Sequence, residues 1–423
     1  MLDIRLLREN PDDIKTRVRN RGGDAWQLVD SVLECDVERR RLETDLQALQ
    51  QERNTLSKEI GRIKREGGDA DAIQDQVRGI NDKMKAIGEE KDAADQRQRD
   101  LLLQIPNVPH TDCPVGADEE SNPEVRVWGE KPSYDFEPLD HVELTAKHDM
   151  LDFDNAAKIA GSGYVIFKGD GARLERALIQ FLLDVQTREH GYTEVSPPFL
   201  INRDCMFGTG QLPKFEDDMY GVEENSVFLA PTAEVPVTNI ERENLLAHDV
   251  LPKAYTAYTP CFRREAGSAG RDNKGLIRMH QFDKVEIVRI ERPERSEEAL
   301  EELTGHAEAI LQKLGLHYRL IELCTGDIGF SATKTYDIEV WAPGHGKYLE
   351  VSSCSNFGDY QARRMNLRFK DENKKNRFCH TLNGSGTALP RLYVALVETY
   401  QQADGTIRIP EALVPYFGAE QIG

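Results

Sequence analysis

Two segments decide the fold: Thr259-Pro260-Cys261-Phe262-Arg263-Arg264-Glu265-Ala266-Gly267 and, after a loop rich in glycine and charge, Arg278-Met279-His280-Gln281-Phe282-Asp283-Lys284-Val285-Glu286. Each reads as a β-strand running into or out of the loop. Strand side chains alternate between faces, so Arg263 and Glu265 share one face, and His280, Phe282 and Glu286 share one face. Spacing alone does not say whether the two faces coincide across the loop. The plain alternative is a hairpin that carries a surface ion pair.

Strands and helices mix on both sides of this pair, over residues 136–423. Arg173 to Glu189 is predicted helical, with Leu174, Leu178, Phe181, Leu182 and Val185 on one face. It runs into Gly191-Tyr192-Thr193-Glu194-Val195-Ser196-Pro197-Pro198, a glycine stop, a short strand and a proline. Core packing accounts for that stretch by itself. Leu349-Glu350-Val351-Ser352-Ser353-Cys354-Ser355-Asn356 reads as a strand bearing a carboxylate and hydroxyls; a polar strand edge is the alternative. Leu382-Asn383-Gly384-Ser385-Gly386-Thr387-Ala388-Leu389-Pro390-Arg391 leads into the apolar helix Leu392 to Tyr400. Small residues before Arg391 let a backbone approach a ligand closely, although a lone arginine at a helix start is often structural. No G-x-x-x-x-G-K-[ST] occurs, and no G-x-G-x-x-G follows a strand, so a bound nucleotide needs another device.

Residues 27–104 have a different pattern. No proline occurs from Val29 to Leu103. Leu42, Leu49, Leu56 and Ile63 recur every seven residues, with Leu46 and Ile60 between them, which is an a/d heptad seam. After Gly67-Gly68-Asp69 a second seam runs through Ile73, Val77, Ile80, Met84, Ile87, Ala94 and Leu101. Two seams joined by a glycine turn predict an antiparallel two-helix coiled coil, each helix about 50 Å long. Folding back at the glycines is expected to bring Ile63 near Val77, Ile60 near Ile80 and Leu56 near Met84. Arg53 and Lys91 interrupt the seams, and polar seam residues fix pairing at a cost in stability. Basic residues gather in the outer half: Arg53, Lys58, Arg62, Lys64 and Arg65 on the first helix, Arg78, Lys83 and Lys85 on the second. A solvated face with i,i+4 charge pairs is one reading; a surface that meets phosphates is the other. Residues 105–135 are rich in Pro, Asp and Glu, lack periodicity and read as a linker.

The 423 residues exceed one ordinary core, so two or three domains are expected. A net charge of −20 argues against a chain coated in nucleic acid but leaves room for a local basic patch. No stretch approaches the roughly 18 apolar residues of a membrane span, and MLDIRLLREN is too charged for a secretory signal. Cytoplasm is the expected location, with no membrane partner. The seven cysteines form no C-x-x-C pair, so reduced structural thiols are expected and a zinc site is not.

Together and in this order, the catalytic-half segments resemble the three signature motifs of class II aminoacyl-tRNA synthetases. The first ends at Pro198, the second is the F-R-x-E element at Phe262 to Glu265, and the third is the small-residue run before Arg391. Within that class, Phe228-Leu229-Ala230-Pro231-Thr232-Ala233-Glu234-Val235-Pro236 is similar to the T-A-E loop of the seryl-tRNA synthetase family. Gly208-Thr209-Gly210-Gln211-Leu212-Pro213-Lys214-Phe215, the strand from His280 to Glu286, Glu350 to Ser353 and the N-terminal hairpin are similar to the same family. The resemblance covers nearly the whole chain.

The resemblance implies an α+β protein: a tRNA-binding domain over 1–104 with its two-helix arm, a linker over 105–135, and a catalytic domain over 136–423 built on an antiparallel sheet flanked by helices. It implies attachment of L-serine to the 3′-terminal adenosine of tRNA(Ser) through a seryl-adenylate, with ATP as substrate, Mg²⁺ as cofactor, and a homodimer formed through the first motif. Selenocysteine tRNA stays open as a second acceptor. By the same resemblance Arg263, Glu286 and Arg391 are catalytic, with Arg263 clamping the serine carboxylate and the α-phosphate and Arg391 holding the γ-phosphate. Thr232, Ala233, Glu234, Glu286 and Ser385 receive serine. Arg263, Arg264, Glu265, Met279, Phe282, Glu350, Val351, Ser352, Ser353 and Arg391 bind ATP, Glu265 at the adenine amino group and Phe282 against the ring. Glu350 and Ser353 carry the metal. Arg53, Lys58, Arg62, Lys64, Arg78, Lys83 and Lys85 meet the tRNA. Two alternatives remain beside this one: a serine-activating ligase of synthetase type that charges another carrier, and a non-catalytic RNA-binding paralogue. The first is expected to lack the arm, and the second to have lost Arg263, Glu286 or Arg391.

Overall fold

The computed structural model describes residues 1–266 and 274–423. Gly267 and the loop that follows it lie outside the described residues. The chain divides into two compact units, Met1–Pro106 and Asn107–Gly423.

The first unit is helical: α1 Ile4–Glu9, α2 Pro11–Arg19, α3 Leu28–Arg65 and α4 Asp71–Gln104. The last two form the antiparallel hairpin. Leu42, Leu46, Leu49, Arg53, Leu56, Ile60 and Ile63 of α3 are all buried or half-buried, while most residues between them are exposed. On α4 the same holds for Ile73, Val77, Ile80, Met84, Ile87, Lys91, Ala94 and Leu101. Arg53 and Lys91 therefore occupy seam places, and Lys91 is met by Asp95 at 2.9 Å and Glu43 at 3.5 Å. At the base, the fully buried Asp36 accepts from Gln98 Nε2 at 3.3 Å and pairs with Arg40 Nε at 3.0 Å and Arg8 Nε at 3.5 Å, which ties α1, α3 and α4 together.

The register differs from the one expected. The expected pairing runs on to Lys91 opposite Leu49 and Gln98 opposite Leu42. Lys91 instead meets Glu43, Gln98 meets Asp36, and Arg97 meets Glu38 at 2.5 Å. The cause lies in the turn. Gly67 takes φ +76°, and the Gly68 amide donates to the Ile63 carbonyl at 2.9 Å. The return seam then starts at Ala70, 3% exposed, three residues before Ile73.

The second unit is built on one eight-stranded sheet. In chain order its strands are β1 Glu124–Trp128, β2 Thr193–Glu194, β3 Lys253–Phe262, β4 Gln281–Glu291, β5 Tyr318–Glu322, β6 Lys334–Ala342, β7 Lys347–Asn356 and β8 His380–Ala388. They lie side by side as β1-β5-β6-β7-β8-β4-β3-β2, antiparallel except where β2 joins β3. The helices used below are α5 Asp170–Arg188, α6 Glu234–Thr238, α7 Ser296–Lys313, α8 Tyr360–Met365 and α9 Leu389–Thr399. Helices α5, α7 and α9 pack on the sheet, and α5 buries the face read from its sequence, Leu174, Leu178, Phe181, Leu182 and Val185. Val285 and Ile287 of β4 belong to that core.

The stretch 105–135 is more than a connection. Asn107 Nδ2 donates to the Ser331 and Phe357 carbonyls at 2.9 and 2.8 Å, Val108 and Cys113 are buried, and β1 closes one edge of the sheet. All five side chains of β1 are exposed, so no alternation marked it as a strand. The glycines before Arg391 also have a packing role in the sheet. They lie within β8. A Cβ on Gly384 would stand 2.5 Å from Leu303 Cδ2 of α7, and one on Gly386 would stand 3.1 Å from the Val285 carbonyl oxygen. A side chain at either position would crowd its neighbours and require them to shift. Gly386 is also a bulge: Val285 pairs with Thr387 and Glu286 with Ser385, and Gly386 is left between.

The hairpin register can be read by oxidising paired cysteines. Cysteines at Glu43 and Lys91 should join faster than cysteines at Leu49 and Lys91; the reverse order contradicts the observed pairing.

Candidate active site

The β3–β4 pair carries the centre of the site. Cys261 lies opposite Phe282, and Ala257 opposite Glu286. Just past the strand ends the two chains clasp: the Arg263 amide donates to the His280 carbonyl at 2.9 Å, and His280 Nδ1 stands 3.0 Å from the Arg263 carbonyl. The clasp sets the Arg263 guanidinium 5.2 Å over the Phe282 ring, so the two faces that spacing left open do coincide. Arg263 Nε donates to the Pro231 carbonyl at 3.3 Å. Glu265 adopts φ +51°, a conformation costly for a side-chain-bearing residue, and its carboxylate pairs with Arg278.

Two cavities meet at these residues. One, of about 210 Å³, is lined by Arg263, Glu265, Met279, Phe282, Glu350, Val351, Ser385 and Arg391, together with Arg278 and Lys284. The other, of about 460 Å³, is lined by Thr232, Glu234, Gln211 and Phe215, and again by Arg263, Glu265 and Arg278. Arg263 thus belongs to both.

In the first cavity, Arg391 sits in the opening turn of α9 and donates from Nη1 to the Glu350 carbonyl at 2.8 Å and its carboxylate at 3.3 Å. The wall at Leu276 is held from behind, where its amide donates to His141 Nε2 at 3.0 Å. His141 Nδ1 is therefore the protonated nitrogen and faces Glu398 Oε1 of α9 at 3.3 Å, which His345 Nδ1 also meets at 2.7 Å. These three side chains are the one cluster of three His, Cys, Asp or Glu among the described residues with ligand atoms close enough to surround a metal ion, and hydrogen bonds to one another and to Leu276 already engage His141, Glu398 and His345 Nδ1. Ser353 lies beside Asp337 across β6 and β7. Burial first, then the Glu350 carboxylate, pushes Asp337 well above the usual carboxylate range, with Ser353 opposing.

The second cavity ends on the buried Glu234 and on Thr232, which connects it to the buried Glu286. Glu286 Oε2 accepts from Thr232 Oγ1 at 2.9 Å and lies 2.5 Å from Lys284 Nζ. Thr232 Oγ1 in turn accepts the Glu234 amide at 3.2 Å. Burial, then the neighbouring Glu286, pushes Glu234 up to about 7. The bulge at Gly386 sets Ser385 directly beside Glu286. Acidic acceptors and hydroxyls thus gather where the two cavities meet: Thr232 and Glu234 line the second, Ser385 lines the first, Glu286 is bonded to Thr232, and Arg263 lines both. That set suits a small ligand bearing an ammonium, a hydroxyl and a carboxylate.

Most of the expected site residues come together. Five line neither cavity: Glu286, which is bonded to Thr232, Ser353, which lies beside Asp337, and Arg264, Ala233 and Ser352. Arg264 is exposed, with its amide on the Asp218 carbonyl at 2.9 Å. Ala233 is buried among Val237, Ala257 and Val288. Ser352 turns inward and donates to the Ser385 carbonyl at 2.5 Å. Four residues in the site were not singled out from the sequence: Arg278, Lys284, Asp337 and Gln361, whose amide donates to Glu234 Oε1 at 2.7 Å. Lys284 was legible, since alternation puts it on the face of Phe282 and Glu286. On the arm, Lys58, Arg62, Lys64, Arg78, Lys83 and Lys85 are exposed and Arg53 is half-buried; Arg62 and Arg78 pair within their own helices with Glu59 at 3.9 Å and Asp75 at 3.2 Å.

Comparison with known proteins agrees with this geometry. Residues 1–109 match the family "Seryl-tRNA synthetase N-terminal domain", and residues 214–400 match "tRNA synthetase class II core domain (G, H, P, S and T)". The serine--tRNA ligase of Akkermansia muciniphila is 64% identical over 422 residues, covering 100% of this chain and 99% of that protein. The seryl-tRNA synthetase of Pyrococcus horikoshii, solved in complex with ATP, superposes with a TM-score of 0.94 at 38% identity, over 100% of this chain and 99% of that one. The cytoplasmic serine-tRNA ligase of Naegleria fowleri, solved with AMP, gives 0.89 at 30% identity, over 100% and 98%.

Lys284→Met leaves Glu286 buried without its cation and should cost about 3 kcal/mol of unfolding free energy. The double variant Lys284→Met/Glu286→Leu should recover most of that loss. A single variant that melts in denaturant with the wild type contradicts the pairing.

Proposed function

The chain belongs to the seryl-tRNA synthetase family of class II aminoacyl-tRNA synthetases, and on that premise we propose how its own residues carry the reaction. The protein attaches L-serine to the 3′-terminal adenosine of tRNA(Ser) at the expense of ATP. An oxygen of the serine carboxylate attacks the α-phosphorus and pyrophosphate leaves. A ribose hydroxyl of the tRNA then attacks the carbonyl carbon of seryl-adenylate and AMP leaves. Such chemistry is served by placement and charge stabilisation.

The observation that carries this reading is Arg263, which lines both cavities. A guanidinium there reaches a carboxylate on one side and an α-phosphate on the other, and its planar fork suits two oxyanions. Phe282 offers its ring to adenine, Met279 its backbone, and Glu265 an acceptor for the amino group. Arg391 takes the γ-phosphate and exchanges its Glu350 partner for it. Thr232, Glu234, Glu286 and Ser385 receive the ammonium and hydroxyl of serine. Alanine leaves those groups unpaired, the kind of loss that separates substrates by several orders of magnitude. Threonine is excluded by its extra methyl group.

Glu350 and Ser353 offer oxygen donors, and beside them Asp337 Oδ1 is buried with no hydrogen-bond partner. This donor set fits a hard cation such as Mg²⁺ and not zinc. When bound, such an ion neutralises phosphate charge; Glu350 and Ser353 would hold it.

On the arm, Lys58, Arg62, Lys64, Arg78, Lys83 and Lys85 supply the tRNA contact, with Arg53 at the seam between them; phosphate contact of this kind is read in the salt dependence of binding. We assign the partner of β2, the outermost strand with both residues exposed, to a second copy of the chain, giving a homodimer. No helix among the described residues is long and apolar enough to cross a membrane, and the cytoplasm is the proposed location. Selenocysteine tRNA is a second acceptor to assay beside tRNA(Ser).

Cutting the hairpin back by replacing residues 45–89 with a short glycine turn tests the reading. Serine-dependent pyrophosphate exchange should stay near wild type, while charging of tRNA(Ser) falls by about two orders of magnitude. Normal charging by the shortened protein contradicts the role of the arm.

A further inference from the structure

Gln361 stands behind the serine pocket and lines neither cavity. It is the second residue of α8 and 1% exposed. Every polar atom of its amide is engaged. Nε2 donates to Glu234 Oε1 at 2.7 Å and to the Thr209 carbonyl at 3.1 Å. Oε1 accepts from Thr381 Oγ1 at 2.7 Å, and Thr381 is itself fully buried on β8. The Thr381 hydroxyl and the Thr209 carbonyl together fix the amide's orientation. Turned over, it would set oxygen against carboxylate and carbonyl oxygens. Only the donor end can face Glu234.

We propose that Gln361 is a positioning residue for serine recognition, occupying the inner oxygen of Glu234 and so aiming the outer oxygen at the substrate. This rests on the reading of Glu234 as a serine acceptor. Three segments distant in sequence take part: the Thr209 turn, α8 and β8. The T-A-E loop supplies the carboxylate, and the aim comes from elsewhere.

An amide N–H donor stabilises a carboxylate and offers nothing to an acid proton at the same oxygen. The groups that face Glu234 are Glu286 and Lys284 of β4, Arg263 beyond the end of β3, Gln361 of α8, and the Thr232 hydroxyl at its own amide. Burial and Glu286 raise its pKa, to about 7; Gln361, Lys284 and Arg263 oppose them. Removing the Gln361 donor therefore shifts the titration upward. At neutral pH less Glu234 is ionised, and raising the pH restores it.

The test is serine-dependent pyrophosphate exchange by the full chain, with KM for serine, KM for ATP and kcat followed across the pH range. Gln361→Met should raise KM for serine about tenfold near neutral pH, the worth of one hydrogen bond to a charged group, and leave KM for ATP as in the wild type. The defect should shrink as pH rises. Thr381→Val, which frees the amide to turn, should shift KM for serine in the same direction by a smaller factor. Melting curves establish that both variants are folded, and if Gln361→Met is not, Thr381→Val decides. A wild-type KM for serine in the folded variant overturns the proposal, as does a loss equal at every pH or shared by ATP. Glu234→Ala separates this from the reading beneath it. Normal serine use by Glu234→Ala removes the role of Glu234 itself. Loss of serine use in Glu234→Ala together with wild-type behaviour in Gln361→Met removes only the role of Gln361.

Discussion

Glu234 and Glu286 are buried close enough to feel each other's charge, and two carboxylates so placed repel unless the surroundings answer them. Lys284 and Thr232 answer Glu286, and Gln361 answers Glu234. The sheet is shaped to the same end. A bulge at Gly386 sets Ser385 beside Glu286, and a Cβ at Gly386 would come within 3.1 Å of the Val285 carbonyl oxygen. Lys284 and Glu286 share one strand face, while Val285 and Ile287 face the helix-packed core. The acidic pocket therefore depends on the register of β3, β4 and β8 as much as on the acids themselves.

The nucleotide side is organised by α9. Its first turn carries Arg391 and a later turn carries Glu398, which holds His141 behind the Leu276 wall. Arg391 and Glu350 pair with each other, and a phosphate and a cation are the species that would each replace one of them. Arg263 joins the nucleotide side to the acidic side as a shared wall. The strained backbone at Glu265 fits a residue whose direction matters more than its local comfort.

Periodicity made the arm legible, since the heptad positions from Leu42 to Ile63 are those drawn in from solvent. Its register was not, because Ala70 opens the return seam and a small residue after two glycines carries little signal. The motifs made most of the site legible, yet they did not say which of their residues face inward. Ala233 and Ser352 sit inside matching segments and point away. β1 was hidden because its side chains are all exposed, and sheet order was hidden because pairing is non-local. Gln361 and Asp337 were invisible for a related reason: each gains its meaning from a partner on a segment far away in sequence. Lys284 was visible in the alternation from Phe282 to Glu286.

In the proposed function this acidic site selects serine for adenylate formation. It is tested most directly by pyrophosphate exchange with the intact protein, ATP and Mg²⁺, driven by each standard amino acid in turn. Serine should drive exchange, alanine, which lacks the hydroxyl, should fall below it by several orders of magnitude, and threonine, which adds a methyl, should also fall below it. Exchange driven best by any other amino acid contradicts it.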